Sequence, residues 1–331
     1  MKIVVLGAGA WGTALASALA SQHRVTLWGR DEVLMSSMAQ THYNTAYLPN
    51  ARLHPHLRFS EHFDKILAEH NSASDLIIIA TPLSALRSMC HKIADAGTEA
   101  SMVWLCKGVE RDTLALPHQI VADVLGSNAP VGVLSGPSFA AEVAQHLPCA
   151  LVLASGHERL NMGFVQQLNQ STLRIYHSTD VIGVEIGGAL KNVLAIAAGV
   201  CDGLELGSNA RAALITRGIA EMMRLGMALG AQPATLSGLT GVGDLILTAT
   251  GNLSRNRRVG LALGAGRSIA DITANLGHVA EGALCAHAMA ALATQHGVDM
   301  PITKVVCAVL DGLSPADAVQ QLLTREASSE N

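Results

Sequence analysis

Lys2-Ile3-Val4-Val5-Leu6-Gly7-Ala8-Gly9-Ala10-Trp11-Gly12-Thr13-Ala14-Leu15-Ala16 is the stretch that decides the fold. An aliphatic, β-branched run leads directly into a glycine-rich turn, and small helix-forming residues follow. A lone G-x-G-x-x-G pattern is weak evidence. Here it has the context it needs: a strand before, a helix after, and a second apolar run at Arg24–Trp28. In such a turn Gly7 permits the tight bend, Gly9 lets the backbone approach a pyrophosphate, and Gly12 lets helix and strand pack closely. Ala10 and Trp11 then open a helix whose free N–H groups and positive dipole end suit phosphate. The competing reading is an ordinary glycine-rich turn of an α/β protein.

Working outward, short apolar runs alternate with longer helical ones. The strand candidates are Lys2–Gly7, Arg24–Trp28, Leu76–Ala80, Met102–Cys106, Val131–Leu134, Ala150–Ala154 and Leu173–Tyr176. Helical stretches lie between them at Ala10–Ala20, Ser84–Ala96, Pro117–Leu125 and His157–Leu168. Strands that are apolar throughout, rather than alternating, are covered on both faces, which predicts a parallel, doubly wound sheet. After Val181 helices dominate: Val181–Val200, Ala210–Leu229, Asn256–Leu263, Gly282–His296, Ile302–Leu310 and Pro315–Arg325, punctuated by Gly230, Gly264, Gly297, Pro301 and Pro315. The expected fold class is α/β: a Rossmann-like, doubly wound, mostly parallel sheet followed by an all-helical domain. The expected boundaries are 1–180 for dinucleotide binding, 181–326 for substrate and dimerisation, and a disordered tail at 327–331.

Composition narrows the function. At 331 residues two domains are expected, and 50% hydrophobic against 15% charged residues provides for a large core. A net charge of −4 and only 3% aromatic residues leave neither a basic footprint nor stacking platforms, so nucleic acid is not expected as a partner. The cysteines (Cys90, Cys106, Cys149, Cys201, Cys285, Cys307) have no C-x-x-C or metal-ligand spacing, and the histidines no H-E-x-x-H, which predicts reduced, buried thiols and no metal. Lys2 and the run to Ala20 mimic a signal peptide, but the glycines interrupt it and cleavage would delete the first strand. No other segment approaches the ~18 uninterrupted apolar residues of a bilayer span. A cytoplasmic protein without a membrane partner is expected.

Arg30 ends the second strand where an NAD site usually carries an acid. A guanidinium can pair with a 2′-phosphate, which favours NADP(H). Asp31 and Glu32 follow, at a helix start, and keep NAD(H) open.

Lysine is scarce, and Lys191 lies in Gly187-Gly188-Ala189-Leu190-Lys191-Asn192-Val193-Leu194, a helix apolar almost all round. Burial disfavours an ammonium and makes an amine usable as a proton donor or acceptor, which hydride transfer to a ketone requires. Pairing with Glu185 or a neighbouring carboxylate is the structural alternative. Lys107 closes the strand Met102–Cys106, at the sheet edge where open parallel sheets bind ligands. Ser135-Gly136-Pro137-Ser138-Phe139-Ala140 ends the next strand, and its Gly-Pro-Ser turn offers N–H groups and a hydroxyl. In the helical half, Gly238-Leu239-Thr240-Gly241-Val242-Gly243-Asp244 breaks the periodicity around one acid that could orient Lys191. Ser254-Arg255-Asn256 then opens a cationic helix start, where an arginine is unfavourable unless an anion answers it.

Taken in order, the glycine turn, Lys107-Gly108, Gly136-Pro137-Ser138-Phe139-Ala140, Lys191-Asn192, Gly241-Val242-Gly243-Asp244-Leu245 and Ser254-Arg255-Asn256 resemble the NAD(P)-dependent glycerol-3-phosphate dehydrogenase family of bacterial type, from residue 1 to about Arg325. The resemblance implies that Lys191 accepts the proton when glycerol 3-phosphate is oxidised and donates it in reverse. It implies substrate contacts at Lys107, Gly136, Ser138, Lys191, Asp244, Ser254, Arg255 and Asn256. The implied cofactor contacts are Ala10, Trp11, Arg30, Lys107, Ala140, Arg255, Val279 and Glu281, with Asn192 and Thr248 in support. It also implies a cytoplasmic homodimer that supplies sn-glycerol 3-phosphate, from dihydroxyacetone phosphate, for phospholipid synthesis. The alternatives are another β-hydroxyacid-type reductase, such as ketopantoate reductase, or a non-catalytic NAD(P)-binding sensor.

Overall fold

Alternate residues of the first strand face two different cores. Ile3 and Val5 pack with Ala14, Leu15, Leu27 and Met35, while Val4 and Leu6 pack with Ile77, Ile79, Leu86, Met89 and Trp104. A strand has a two-residue repeat, so a run apolar at every position must be covered on both sides. The computed structural model describes residues 1–276 and 281–324. The expected tail at 327–331 lies outside them.

The strands are β1 (Lys2–Leu6), β2 (Arg24–Trp28), β3 (Tyr43–Asn44), β4 (Leu48–Arg52), β5 (Arg58–Ser60), β6 (Leu76–Ile79), β7 (Ser101–Trp104), β8 (Val131–Ser135), β9 (Cys149–Ala154) and β10 (Leu173–Ser178). Eight form one sheet in the order β10-β9-β8-β7-β6-β1-β2-β5, and β3 and β4 form a separate hairpin. The expected fold class is borne out, with two additions. β5 pairs parallel to β2 at the edge through Thr26–Arg58 to Trp28–Ser60. The β8–β9 pair is antiparallel, Leu134 opposite Leu153, so the sheet reverses there. The physical reason is the connection: a parallel return needs a crossover along the sheet, whereas β8 and β9 are joined through one five-residue helix, Ala140–Ala144.

The chain divides into two units, one of Met1–Lys107 with Ala115–Glu185 and the other of Gly108–Leu114 with the chain from Ile186 onward. The division falls within the helix Val181–Gly203, whereas the sequence reading sets it ahead of that helix.

In the second unit, described helices run Gly207–Ala228, Pro233–Ser237, Asp244–Thr250, Arg255–Gly264, Ile269–Leu276, Glu281–Gln295, Pro301–Leu310 and Pro315–Leu323. Prolines at the first helical positions of Pro233, Pro301 and Pro315 exploit an N–H that would be unbonded anyway. Helix Val181–Gly203 is long and apolar enough to cross a bilayer, but 89% of its apolar window is buried in the protein. It crosses Arg255–Gly264 backbone to backbone. A Cβ on Gly199 would lie 2.2 Å from the Arg257 carbonyl oxygen, and one on Gly260 2.1 Å from that of Ile196. This crossing places the start of the Arg255 helix beside the helix that carries Lys191. All the cysteines but Cys149 are buried.

Candidate active site

The glycine turn takes the form its sequence requires. Gly7 has φ +130°, and a Cβ there would meet the Ala80 carbonyl carbon at 2.8 Å. A Cβ on Gly12 would lie 2.2 Å from the Gly7 carbonyl oxygen, so helix and strand touch as expected. Among the described residues a Cβ on Gly9 would meet nothing within 4 Å, and no side chain caps the helix Ala10–Leu19 that follows. Open space in front of an uncapped helix N-terminus fits a dinucleotide pyrophosphate, bound by backbone N–H groups of the turn.

Asp31 is committed to its helix: its carboxylate accepts from the Leu34 N–H at 2.9 Å and caps Glu32–Thr41. Arg30, exposed beside it, remains as the charged group at the end of β2. Lys107 is half-buried beyond the end of β7, which stops at Trp104. At the end of β8, Gly136 has φ +139° and Ser138 Oγ donates to the Gly136 carbonyl at 3.0 Å. Ala140 begins the short helix behind that turn.

In the helical unit the sequence brings Lys191 and Asp244 together. Lys191 Nζ donates to Asp244 Oδ1 at 2.5 Å, with side-chain exposures of 11% and 0%. The glycines explain how a carboxylate reaches that depth. Leu239–Gly243 forms a wide helical turn, and a Cβ on Gly187 would strike the Thr240 carbonyl oxygen at 2.4 Å. Gly187, one turn ahead of Lys191, therefore lets the turn bearing Asp244 lie directly on the Lys191 helix. Thr248 Oγ1 donates to the Asp244 carbonyl at 2.6 Å and helps hold that first turn.

The sequences that match complete the assignment. The family model described as NAD-dependent glycerol-3-phosphate dehydrogenase N-terminus matches residues 2–161, and its C-terminus counterpart matches residues 180–320. The chain belongs to that family. Its similarity to "Glycerol-3-phosphate dehydrogenase [NAD(P)+]" of Burkholderia cenocepacia is 55% identity over 333 residues, covering 100% of both chains. The crystal structure of glycerol-3-phosphate dehydrogenase from Coxiella burnetii superposes with TM-score 0.91 at 40% identity, covering 98% of this chain and 99% of that one. A ketopantoate reductase from Ralstonia eutropha shares the fold alone, with TM-score 0.61 and 15% identity over 96% of this chain and all of that one.

Within this glycerol-3-phosphate dehydrogenase family member, the segment Ser254-Arg255-Asn256 carries structural as well as candidate binding duties. Ser254 Oγ accepts from the Arg257 N–H at 3.2 Å as a helix cap. Asn256 donates to Asn192 Oδ1 at 2.9 Å and accepts from the Gly282 N–H at 3.0 Å. The Ser254 hydroxyl proton and the second N–H of the Asn256 amide remain as donors. Arg255 is exposed. Arg257, two residues on, is bound to Asp202 through Nε at 3.1 Å and a terminal nitrogen at 2.6 Å. Val279 and the Glu281 side chain lie outside the described residues.

Glu185 is not the partner of Lys191. It is buried and accepts from Trp104 Nε1 at 3.1 Å and the His118 N–H at 2.8 Å, with His118 Nδ1 at 2.6 Å. Burial raises its carboxyl above the ordinary range, and the bonds from His118 and Trp104 oppose that rise. Three further polar groups stand out in the structure. Asn44 is buried against the glycine turn. Thr81 Oγ1 and Ser135 Oγ, near the carboxyl ends of β6 and β8, are buried with no hydrogen-bond partner among the described residues. Asn44 and Thr81 lie in no recognisable motif, and Ser135 opens the Gly136-Pro137-Ser138 turn.

Proposed function

We propose that this chain reduces dihydroxyacetone phosphate to sn-glycerol 3-phosphate with NADPH, accepts NADH less well, and runs the reverse oxidation. The observation that carries this reading is the buried Lys191–Asp244 pair, set in a family member matched over both halves of its length. A bound nicotinamide supplies the hydride in reduction and accepts it in oxidation.

The remaining chemistry is the protein's. Asp244 holds the Lys191 ammonium by a charged hydrogen bond and fixes its direction. As negative charge develops on the ketone oxygen, Lys191 Nζ gives it a proton; in oxidation the neutral amine takes the hydroxyl proton back. Arg255 supplies a guanidinium to the substrate phosphate, with the remaining donors of Ser254 and Asn256 beside it. Lys107 and the turn of Gly136 and Ser138 contact the substrate from the sheet. The glycine turn, Ala10, Trp11 and Ala140 bind the dinucleotide, Arg30 holds its 2′-phosphate, and Val279 and Glu281 contact it as well. In this reading residues 1–180 serve the dinucleotide and 181–326 the substrate.

The product would feed phospholipid synthesis in the cytoplasm, a placement supported by cysteines that are mostly buried and lack C-x-x-C spacing. A homodimer is proposed through the helical unit, where Leu206, Met227 and Leu323 are exposed apolar groups. The reading is tested by following NADPH oxidation by the purified protein with dihydroxyacetone phosphate and, separately, with ketopantoate. Turnover of the phosphate ester alone supports it; turnover of ketopantoate alone overturns it.

A further inference from the structure

Asn44 is 0% exposed and sits on the β3–β4 hairpin, outside the strand–turn–helix unit that forms the dinucleotide site. Its amide is fully engaged. Nδ2 donates to the Ala8 carbonyl at 2.9 Å and to Thr13 Oγ1 at 2.8 Å, and Oδ1 accepts from the Tyr47 N–H at 3.1 Å. A backbone carbonyl can only accept and a backbone N–H can only donate, so these partners fix which end of the amide is which.

The consequence lies in the peptide between Ala8 and Gly9. A trans peptide is planar, with its C=O and N–H on opposite sides. Holding the Ala8 oxygen on Asn44 therefore turns the Gly9 N–H away from Asn44. Among the described residues nothing stands within 4 Å of where a Gly9 Cβ would be. A flipped peptide would offer the phosphate a carbonyl lone pair in place of a donor. The task needs two donors and one acceptor on a short side chain, which asparagine has and aspartate lacks.

We propose that Asn44 is a positioning residue for the cofactor: it locks the Ala8–Gly9 peptide so that the Gly9 N–H meets the dinucleotide pyrophosphate. This rests on the reading of the chain as a nicotinamide dinucleotide enzyme. The second bond, to Thr13, ties the turn to the first turn of the helix without touching that peptide.

The test is NADPH affinity, measured by calorimetry on the full chain without substrate. Asn44→Asp and Asn44→Ser raise the Kd for NADPH by about tenfold or more, the size of one charged hydrogen bond. They leave the weak affinity for 2′-AMP, which has no 5′-phosphate, within about twofold of wild type on the same grounds. In turnover they raise KM for NADPH and leave kcat at saturating NADPH nearly unchanged. Thr13→Val, which removes only the other bond, leaves the NADPH Kd close to wild type. NADPH affinity unchanged in both Asn44 variants, or lowered as much by Thr13→Val, overturns the role. Should the Asn44 variants not fold, the Gly9 amide of 15N-labelled wild type decides: its proton must shift downfield on NADPH binding, and an unmoved resonance refutes the proposal. Wild-type protein that binds neither NADPH nor NADH would instead defeat the functional reading beneath it.

Discussion

Lys191 Nζ lies 2.5 Å from Asp244 Oδ1, and the carboxylate has no exposure of its own. A buried carboxylate that loses a paired cation keeps its desolvation cost without the compensating attraction. Lys191→Met should therefore destabilise the protein by about 3–5 kcal/mol, read by urea denaturation. Adding Asp244→Asn to the same chain should recover much of that loss while turnover stays absent. Equal stability of the single and double variants would show that the pair is not electrostatically coupled.

At the other site the roles of neighbouring residues separate cleanly. Asp31 is spent on its helix, and Arg30 is exposed at the strand end. Arg30→Ala should lower the ratio of kcat/KM for NADPH over NADH by about tenfold, the cost of one bidentate charged contact. Asp31→Ala should instead lower stability by about 1 kcal/mol, as cap losses do, and leave the ratio alone. A ratio that moves with Asp31 and not with Arg30 would reverse the assignment.

What the sequence tells plainly is what local chemistry dictates. The glycine turn, the parallel core strands β1, β6 and β7, and the helical second half all follow from runs and punctuation visible in the chain. The edge strand β5 does not, because Arg58-Phe59-Ser60 is short and polar and is held by β2 rather than by its own propensity. Nor does the reversal at β9, since an apolar run carries no direction. The helices Asp244–Thr250 and Phe63–Glu69 are also missed, each being short and fixed by its packing. At the site, Lys191 and Asp244 are legible as odd charges in apolar surroundings, with Asp244 the expected partner; the backbone contact at Gly187 that lets them meet is not. Asn44 is invisible for the same reason: its value comes from a hairpin folded back on the turn.

Glu221 offers a pH-dependent test away from the site. It is buried, and it accepts from the Ile302 N–H at 2.5 Å and from the Thr303 N–H and hydroxyl at 3.2 and 3.1 Å, capping the helix Pro301–Leu310. Burial holds its carboxyl above the ordinary value of 4.5, against those hydrogen bonds. A carboxyl raised in the folded state contributes stability below its unfolded pKa and loses that contribution as pH rises through the raised value. Across the range upward from 4.5, wild type should lose stability relative to Glu221→Gln. Denaturation curves that stay parallel with pH would remove Glu221 from the account.

In the proposed mechanism one amine on the Val181–Gly203 helix moves the proton in a hydride transfer to a small phosphorylated ketone. Its most direct measurement is a single-turnover reaction of enzyme-bound NADPH with dihydroxyacetone phosphate, for wild type and Lys191→Ala, alongside NADPH affinity for both. Wild type should lose nicotinamide absorbance rapidly and the variant at least about 10²-fold more slowly, as for removal of a general acid, with nearly equal NADPH affinities. Turnover by Lys191→Ala at the wild-type rate would contradict it.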